Sequence, residues 1–210
     1  AKAKKLLESL KKYKAYLEEG KNVRGMDATE EDMQAVADLQ LLTSKPVIYV
    51  CNVNEEAVTT GNELVEQLKA SVANEEAEVI VLCAALEAQI AEFEDPEEKA
   101  MFLEEYGLKE SGLNRLIKTS YALLDLITYF TAGVQEVRAW TITKGWKAPK
   151  AAGVIHTDFE RGFIKAEVIK LDAYKQYKTV TACKEVGKVA IEGKEYIVKD
   201  GDIMHFRFNV

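Results

Sequence analysis

The stretch that decides the fold of the first half of the chain is Val47-Ile48-Tyr49-Val50-Cys51, and a second run of the same kind is Val79-Ile80-Val81-Leu82-Cys83. Both runs are continuously apolar and rich in β-branched residues, which is typical of strands buried on both faces in parallel sheets. Between them, leucine and valine recur at helical spacing, which predicts a helix over residues 61–73. The order strand, helix, strand predicts a βαβ unit with a parallel pair of strands. Two strands make a poor sheet, so the further strands of such a domain are expected from elsewhere.

From about residue 126 onward, the sequence becomes rich in residues that favour β-strands. Ile127-Thr128-Tyr129-Phe130-Thr131 and Val137-Arg138-Ala139-Trp140-Thr141-Ile142 are β-rich and are separated by a turn containing Gly133, which predicts a hairpin. A helical stretch is predicted at 151–161, and strands are predicted at 165–170, 196–199 and 203–209, with Asp200-Gly201 as a tight turn between the last two. This order indicates a small α+β domain of the ubiquitin-like β-grasp kind.

The N-terminal segment has an apolar seam on a helix rich in Lys and Glu, formed by Ala3, Leu6, Leu10, Tyr13 and Leu17. This alternation of three- and four-residue spacings is typical of a coiled coil. One helix cannot bury its own seam, and no second segment repeats the pattern. The partner helix therefore lies upstream or comes from another molecule. If the chain is stable alone, we expect a homodimer or a partner contact through residues 1–20.

Charge and cysteine usage restrict the class of protein. The net charge is −7, with an acidic excess in residues 1–128 and a basic excess in residues 129–210. Opposite signs indicate two domains and make the second half the better candidate for contact with nucleic acid. The 3 cysteines lack metal-ligand spacing, which favours a reducing, cytoplasmic setting. No apolar run approaches the roughly 20 residues that span a bilayer, so no membrane partner is expected.

The first candidate motif is Asn52-Val53-Asn54-Glu55, directly after the first apolar run. Loops at the carboxyl ends of parallel strands are where α/β proteins bind ligands. GTPases have Asn-Lys-x-Asp here, and its carboxylate accepts both edge hydrogens of guanine. In this chain Glu55 is one methylene longer and Val53 replaces the lysine. Because an ionised carboxylate only accepts hydrogen bonds, guanine specificity is in doubt and ATP becomes a candidate. The alternative is a capping asparagine beside a surface glutamate.

The second candidate motif is Cys83-Ala84-Ala85-Leu86-Glu87, directly after the second apolar run. It is similar to the Ser-Ala-x-x-Glu-like loop whose backbone N–H groups meet the base in GTPase folds. Small residues at such a place let the backbone approach a ring closely. The two motifs support each other because each follows its own strand of one βαβ unit.

Together these segments resemble the YchF family of Obg-related ATPases. The resemblance extends over the whole chain and includes Leu41-Leu42-Thr43-Ser44-Lys45-Pro46 and Gly112-Leu113-Asn114-Arg115. It is strongest in Tyr129-Phe130-Thr131-Ala132-Gly133, Arg138-Ala139-Trp140-Thr141, residues 151–163, and residues 200–210, a set similar to the YchF form of the TGS domain.

The resemblance implies a ribosome-associated protein that prefers ATP over GTP and uses Mg²⁺. It implies three segments, namely one half of a coiled-coil arm (1–24), the C-terminal part of the nucleotide-binding domain (25–125) and a TGS domain (126–210). The residues that match the two base loops are Asn52, Val53, Glu55, Ala84, Ala85 and Leu86.

The phosphate-binding signature of such proteins, G-x-x-x-x-G-K-[ST], is absent from the 210 residues. Phosphate positioning supplies most of phosphoryl-transfer catalysis. We therefore expect a missing N-terminal half of the nucleotide domain, no tightly bound nucleotide, and no ATP hydrolysis by this chain alone.

The remaining candidates concern RNA and metal. Basic residues near an aromatic residue suit RNA contact, and this chain offers Arg138, Lys144, Trp146, Lys147, Lys150, Lys165 and Arg207. His156, Asp158 and Glu160 alternate on a predicted helix, which spreads them around it and favours packing over a metal site. The alternative to a fragment of a ribosome-associated ATPase is a stand-alone TGS-type module that binds RNA or protein without hydrolysis.

Overall fold

The computed structural model describes residues 2–75, 77–133 and 136–209, and of Lys2 only the backbone. The chain divides into two compact units, one up to Ser120 and one from Tyr121. The sequence predicted boundaries near residues 24 and 125, which remain predictions. Within the described ranges, no helix is both long enough and apolar enough to cross a membrane.

The first unit begins with two helices, α1 (Lys2–Glu18) and α2 (Glu30–Val36). Thr29 caps α2 through a capping box with Asp32, which satisfies two backbone donors of the helix start. Asp32 also accepts hydrogen bonds from Ser9 and Lys12 of α1, at 2.7 Å and 2.9 Å. One carboxylate therefore joins the two helices.

Part of the apolar seam of α1 is covered within this chain, while an outside partner for the rest of the seam remains a prediction. Tyr13 is buried and packs with Val23 and Val36. Leu6 and Leu17 remain 43% and 37% exposed. The sequence did not predict this packing, because the residues that contact Tyr13 do not repeat the three- and four-residue spacing of the seam.

A two-stranded parallel sheet follows, formed by β1 (Ile48–Asn52) and β2 (Glu78–Leu82) and joined through α3 (Glu63–Ser71). The predicted parallel pair is thereby confirmed. The unit continues with α4 (Ala84–Glu92), α5 (Pro96–Glu105) and α6 (Gly112–Leu123), with short 3₁₀ turns at Val23–Gly25, Ala37–Leu39, Leu42–Ser44 and Glu55–Ala57. A core of Val58, Cys83, Leu86 and Ile90 lies beside the carboxyl end of β2.

Among its described residues, the second unit contains five strands and four short helices. In chain order these are β3 (Leu126–Ala132), β4 (Val137–Thr143), α7 (Ala148–Gly153), α8 (Thr157–Arg161), β5 (Phe163–Lys170), α9 (Leu171–Tyr177), α10 (Val180–Glu185), β6 (Val189–Glu192) and β7 (Asp202–Phe208). The sheet order is β4-β3-β7-β5-β6. Strands β3 and β4 form the predicted hairpin, and β7 lies parallel to β3 and antiparallel to β5.

Each face of this sheet has its own buried cluster. On the first face, α7 packs on Tyr129, Ala166 and Phe206. Tyr129 is fully buried, and its hydroxyl donates a hydrogen bond of 2.9 Å to the Ala151 carbonyl. Burial raises the pKa of Tyr129. On the second face, α9 and α10 cover a cluster that includes Ile169, Cys183 and Ile203.

One predicted strand is wrong. Residues 196–199 form no strand and make an isolated bridge between Ile197 and Lys147. Tyr196 and Lys199 are instead held by Asp202, which accepts from the Tyr196 hydroxyl at 2.6 Å and from the Lys199 N–H at 2.9 Å. A bond between residues this close favours a compact loop over an extended strand.

Candidate functional site

The two predicted base loops lie side by side at the carboxyl edge of the parallel sheet. The Asn52 Oδ1 atom accepts a hydrogen bond of 3.0 Å from the Ala84 N–H. The Val53 N–H donates to the Leu82 carbonyl at 2.9 Å, which extends the β1–β2 contact into the loop. The Asn52 side chain therefore links the two loops by a hydrogen bond, a role that the sequence did not reveal.

The six predicted base-contact residues differ in what they expose. Asn52, Glu55, Ala84 and Ala85 are exposed. Leu86 is fully buried, so its side chain belongs to the core and cannot touch a ligand. Val53 also packs against this core. Both side chains therefore belong to the apolar core beneath the loop, and base contact at these two positions remains a prediction.

The backbone of α4 still offers donors at this edge. Cys83 precedes the helix without a side-chain cap, and the first N–H groups of a helix have no intrahelical acceptor. The Ala84 N–H is taken by Asn52. No acceptor among the described residues takes the N–H groups of Ala85 and Leu86. The side chains at 84 and 85 are only methyl groups and both residues are exposed, so the Ala85 N–H is accessible, whereas Leu86 is 0% exposed and its N–H is not.

Glu87 is the residue of the second motif whose role sequence reasoning missed. Its Oε1 atom accepts from the Gly112 N–H at 2.6 Å, and its Oε2 atom accepts from the Leu113 N–H at 3.1 Å. The carboxylate therefore satisfies the first two donors of α6, where negative charge is also favourable. A Cβ on Gly112 would lie 2.7 Å from the Leu82 Cβ atom, so only glycine fits this contact.

Glu55 lies near the ring of Tyr106. The pKa of the Tyr106 hydroxyl is raised by burial and, secondarily, by the negative charge of Glu55. An ionised Glu55 offers only acceptors. This edge therefore presents one carboxylate acceptor and one accessible backbone donor, the Ala85 N–H.

The predicted RNA-contact residues fall into separate groups. Lys144, Trp146, Lys147 and Lys150 lie together after β4. The Lys150 Nζ atom lies 4.0 Å from the centroid of the Trp146 ring, and Lys147 pairs with Glu195 at 2.5 Å. We call residues 144–150 the basic loop.

The other three basic residues lie on strands. Arg138 stacks over Trp140 at 4.2 Å. Lys165 is the register partner of Arg207 on the neighbouring strand. Arg207 is in turn paired with Glu167 at 3.3 Å. The Arg138 and Arg207 side chains therefore already contact other side chains of this protein.

The His156 Nδ1 and Asp158 Oδ2 atoms lie 3.4 Å apart, and Glu160 does not complete a group of three with them. His156 caps α8, and its Nδ1 atom accepts from the Asp158 N–H at 3.2 Å. In the part of the chain that the structure describes, no group of three His, Cys, Asp or Glu residues is placed to hold a metal ion. The arrangement at α8 is a helix cap.

A parallel strand pair with helices and a five-stranded mixed sheet define a two-unit protein of the mixed α/β class. A family model described as YchF-GTPase_C, "Protein of unknown function (DUF933)", matches residues 126–209. The "Ribosome-binding ATPase YchF" of Bacillus subtilis is 56% identical over 97% of this chain. The chain belongs to the YchF family of Obg-like ATPases.

More distant relatives agree with this placement. "Obg-like ATPase 1" of Oryza sativa is 43% identical over 97% of the chain. The solved structure of the Schizosaccharomyces pombe YchF GTPase covers 97% of the chain with a TM-score of 0.81 and 36% identity. The chain spans 56%, 52% and 55% of these three proteins, respectively. The names of these relatives include both an ATPase and a GTPase.

Proposed function

We propose that the part of the first unit from β1 to α4, with its two loops, forms the base-recognition side of a nucleotide site, and that the basic loop of the second unit contacts ribosomal RNA. The observation that supports the first part is the Asn52–Ala84 hydrogen bond, which holds both loops at one sheet edge. The second unit supports assignment as a β-grasp TGS domain, since a hairpin strand and the last strand lie parallel at the centre of its sheet. The three free cysteines support a cytoplasmic place of action.

The base we assign is adenine, so the nucleotide is ATP in preference to GTP. Guanine presents two donors to the GTPase aspartate, whereas adenine has a ring nitrogen acceptor at the equivalent place. The donor offered by the Ala85 N–H suits a base acceptor. Glu55, which lies near Tyr106, accepts the adenine amino group in this proposal.

The described residues fit a purine base but not the rest of a Mg²⁺-nucleotide. They contain no converging set of carboxylates for a metal, and the sequence has no phosphate-binding glycine run with its lysine. Hydrolysis therefore requires residues from beyond this chain. We propose that the 210-residue chain alone is inactive, and Mg²⁺-dependent ATP turnover by the purified chain would refute this.

The base assignment is tested by titrating the ¹⁵N-labelled chain with adenosine and, separately, with guanosine. Adenosine is expected to shift the amide signals of Ala85 and Leu86, with a smaller response to guanosine. Nucleosides are used because their binding does not depend on a phosphate site. A larger response to guanosine at these amides, or no response to either nucleoside, contradicts the assignment.

The RNA assignment rests on the basic loop, where Trp146 offers a ring and three lysines offer positive charge. Relatives are named ribosome-binding proteins, and phosphate contacts make such binding sensitive to salt. The test is co-sedimentation with ribosomes of a variant with Lys144→Glu, Lys147→Glu and Lys150→Glu.

The matched control changes three exposed lysines of the same unit, with Lys175→Glu, Lys188→Glu and Lys194→Glu. Loss of sedimentation with the first variant alone supports the proposal, and equal sedimentation of both contradicts it. Ribosome binding that persists in a chain unresponsive to nucleosides would favour the alternative of a stand-alone binding module.

A further inference from the structure

The basic loop is paired with the segment of residues 195–199, which we call the clamp. The Val198 N–H donates a hydrogen bond of 3.0 Å to the Trp146 carbonyl. In the other direction, the Ala148 N–H donates to the Tyr196 carbonyl at 2.8 Å. Because the two bonds run in opposite directions between the same two segments, the backbone of the basic loop follows that of the clamp.

Buried residues strengthen the contact between the basic loop and the clamp. Ala148 and Val198 are 0% and 2% exposed and belong to the buried cluster on the first face of the sheet. Between them, Lys147 forms an antiparallel bridge with Ile197. The Lys147 ammonium group also pairs with Glu195 at 2.5 Å. Both side chains of that ion pair are exposed, so it adds little, and backbone pairing with core packing accounts for most of the attachment.

The shape of the clamp depends on one buried carboxylate. Asp202 is 0% exposed, and its Oδ2 atom accepts from the Tyr196 hydroxyl at 2.6 Å and from the Lys199 N–H at 2.9 Å. The Lys170 Nζ atom donates to the other carboxylate oxygen at 2.5 Å and to the Tyr196 hydroxyl oxygen at 2.8 Å. Burial, followed by the hydrogen bond to Asp202, raises the pKa of the Tyr196 hydroxyl. The hydroxyl therefore remains a donor at neutral pH.

The basic loop contains one residue at which its backbone can turn freely. Gly145 has a φ of 88°, a left-handed conformation that glycine adopts at no steric cost. No described atom lies within 4 Å of the place that a Cβ atom would take there. Beyond Gly145, the backbone at Trp146 and Ala148 is paired with the clamp. The clamp therefore fixes the part of the loop that follows the glycine.

We propose that Tyr196 is a positioning residue for RNA binding. Through its hydrogen bond to Asp202 it holds the clamp, and the clamp holds Trp146, Lys147 and Lys150 in the arrangement that RNA contacts. This role rests on the proposed RNA function of the basic loop. A loop that is already ordered loses less conformational entropy when it binds. Loss of the Tyr196 hydroxyl therefore weakens RNA binding, although this hydroxyl makes no contact with RNA itself.

The test compares Tyr196→Phe with the wild-type chain in sedimentation with increasing concentrations of ribosomes. The apparent Kd is expected to rise about threefold, the size of effect that loss of one hydrogen bond produces. The dependence of affinity on salt should also become less steep, because displaced lysines make fewer phosphate contacts. Unchanged affinity, or weaker binding with an unchanged dependence on salt, overturns the positioning role.

Two control variants separate positioning from a general loss of stability. Tyr177→Phe removes the hydroxyl of another half-buried tyrosine, which packs on the second face of the sheet. Thr179→Ala removes the side chain that accepts from the Ala182 N–H at 3.1 Å and caps α10, so it destabilises the same unit away from the clamp. Neither variant should alter the salt dependence of ribosome binding. A change in Thr179→Ala as large as that in Tyr196→Phe contradicts a local effect.

The triple-lysine variant of the basic loop distinguishes failure of the positioning role from failure of the proposed RNA function. Ribosome binding that does not depend on the three lysines overturns both. Loss of binding in the triple variant, with wild-type binding by Tyr196→Phe, overturns the positioning role alone. Tyr196→Phe combined with Asp202→Asn should bind about as weakly as the weaker single variant, since both changes act on one hydrogen bond. Additive losses would show that the two residues act independently, contrary to the proposal.

Discussion

The amide oxygen of Asn52 lies 3.0 Å from the backbone nitrogen of Ala84, so one side chain joins the loops after β1 and β2. Replacing it with Asn52→Ala removes the acceptor, and we expect the free energy of unfolding to fall by about 1 kcal/mol. The amide shifts on adenosine addition should weaken as well. Asn52→Asp retains an acceptor and should keep most of the stability. Urea unfolding measures the loss of stability. An unchanged free energy of unfolding in Asn52→Ala would contradict a stabilising role for this hydrogen bond.

The cap of α6 by Glu87 gives a second prediction. Glu87→Ala leaves the Gly112 and Leu113 N–H groups without their acceptor, and we expect a loss of about 1–2 kcal/mol in urea unfolding. Glu87→Gln keeps one acceptor oxygen, so its free energy of unfolding should lie between those of the wild type and Glu87→Ala. Glu104→Ala, at an exposed position of α5, should change stability little. A loss in the Glu104 variant as large as that in Glu87→Ala would point to a general charge effect.

Crowding at Gly112 gives a third. A Cβ atom there would lie 2.7 Å from the Leu82 Cβ atom, so Gly112→Ala is expected to destabilise the protein by about 1–3 kcal/mol. Gly193→Ala is the matched control, since nothing lies within 4 Å of a Cβ at that position. Thermal unfolding of both variants measures the difference. Equal melting temperatures would show that α6 can move away from β2 at little cost.

The buried carboxylate of Asp202 gives a fourth. It is 0% exposed and is contacted by the Lys170 Nζ atom at 2.5 Å, the Tyr196 hydroxyl and the Lys199 N–H. Asp202→Ala leaves these donors without their acceptor, and we expect a loss of about 3–5 kcal/mol. Asp202→Asn should cost less because one amide oxygen can still accept. Urea unfolding measures the stability of both variants, with Glu185→Ala at an exposed position as the control. An unchanged midpoint for Asp202→Ala would refute the stabilising role of this carboxylate.

Acid should weaken the second unit through Glu167. The hydrogen bond from Lys184, followed by that from Arg207, lowers the pKa of Glu167 in the folded chain. A carboxyl whose folded pKa lies below its unfolded value of about 4.3 adds stability above that value. This contribution is lost as pH falls through the folded pKa. Glu167→Gln should therefore reduce the dependence of the urea midpoint on pH below about 5. The same dependence in both proteins would assign the acid sensitivity to other groups.

The sequence predicted the elements whose signals are local. The apolar runs around Tyr49 and Val81 and the hairpin around Gly133 formed as expected. The helix α4 was interpreted as a loop, although alanine, leucine and glutamate are good helix formers. The resemblance placed a base loop there, and the helix begins directly after Cys83.

The missed roles depend on partners distant in sequence. Glu87 meets Gly112 only when α6 folds back to the end of β2. Tyr13 is buried by residues that show no coiled-coil pattern. In both cases the pairing is set by tertiary packing, so periodicity and motif spacing contain no signal for it.

The burial of Leu86 has a consequence for the kinetics of ligand binding. Because this side chain is 0% exposed, the first turn of α4 is anchored before any ligand arrives. The Ala85 N–H therefore needs no ordering step, and little conformational entropy is lost when a ring meets it. Association at this edge should then be limited by the rate of encounter, while the lifetime of the complex depends on what holds the rest of the ligand.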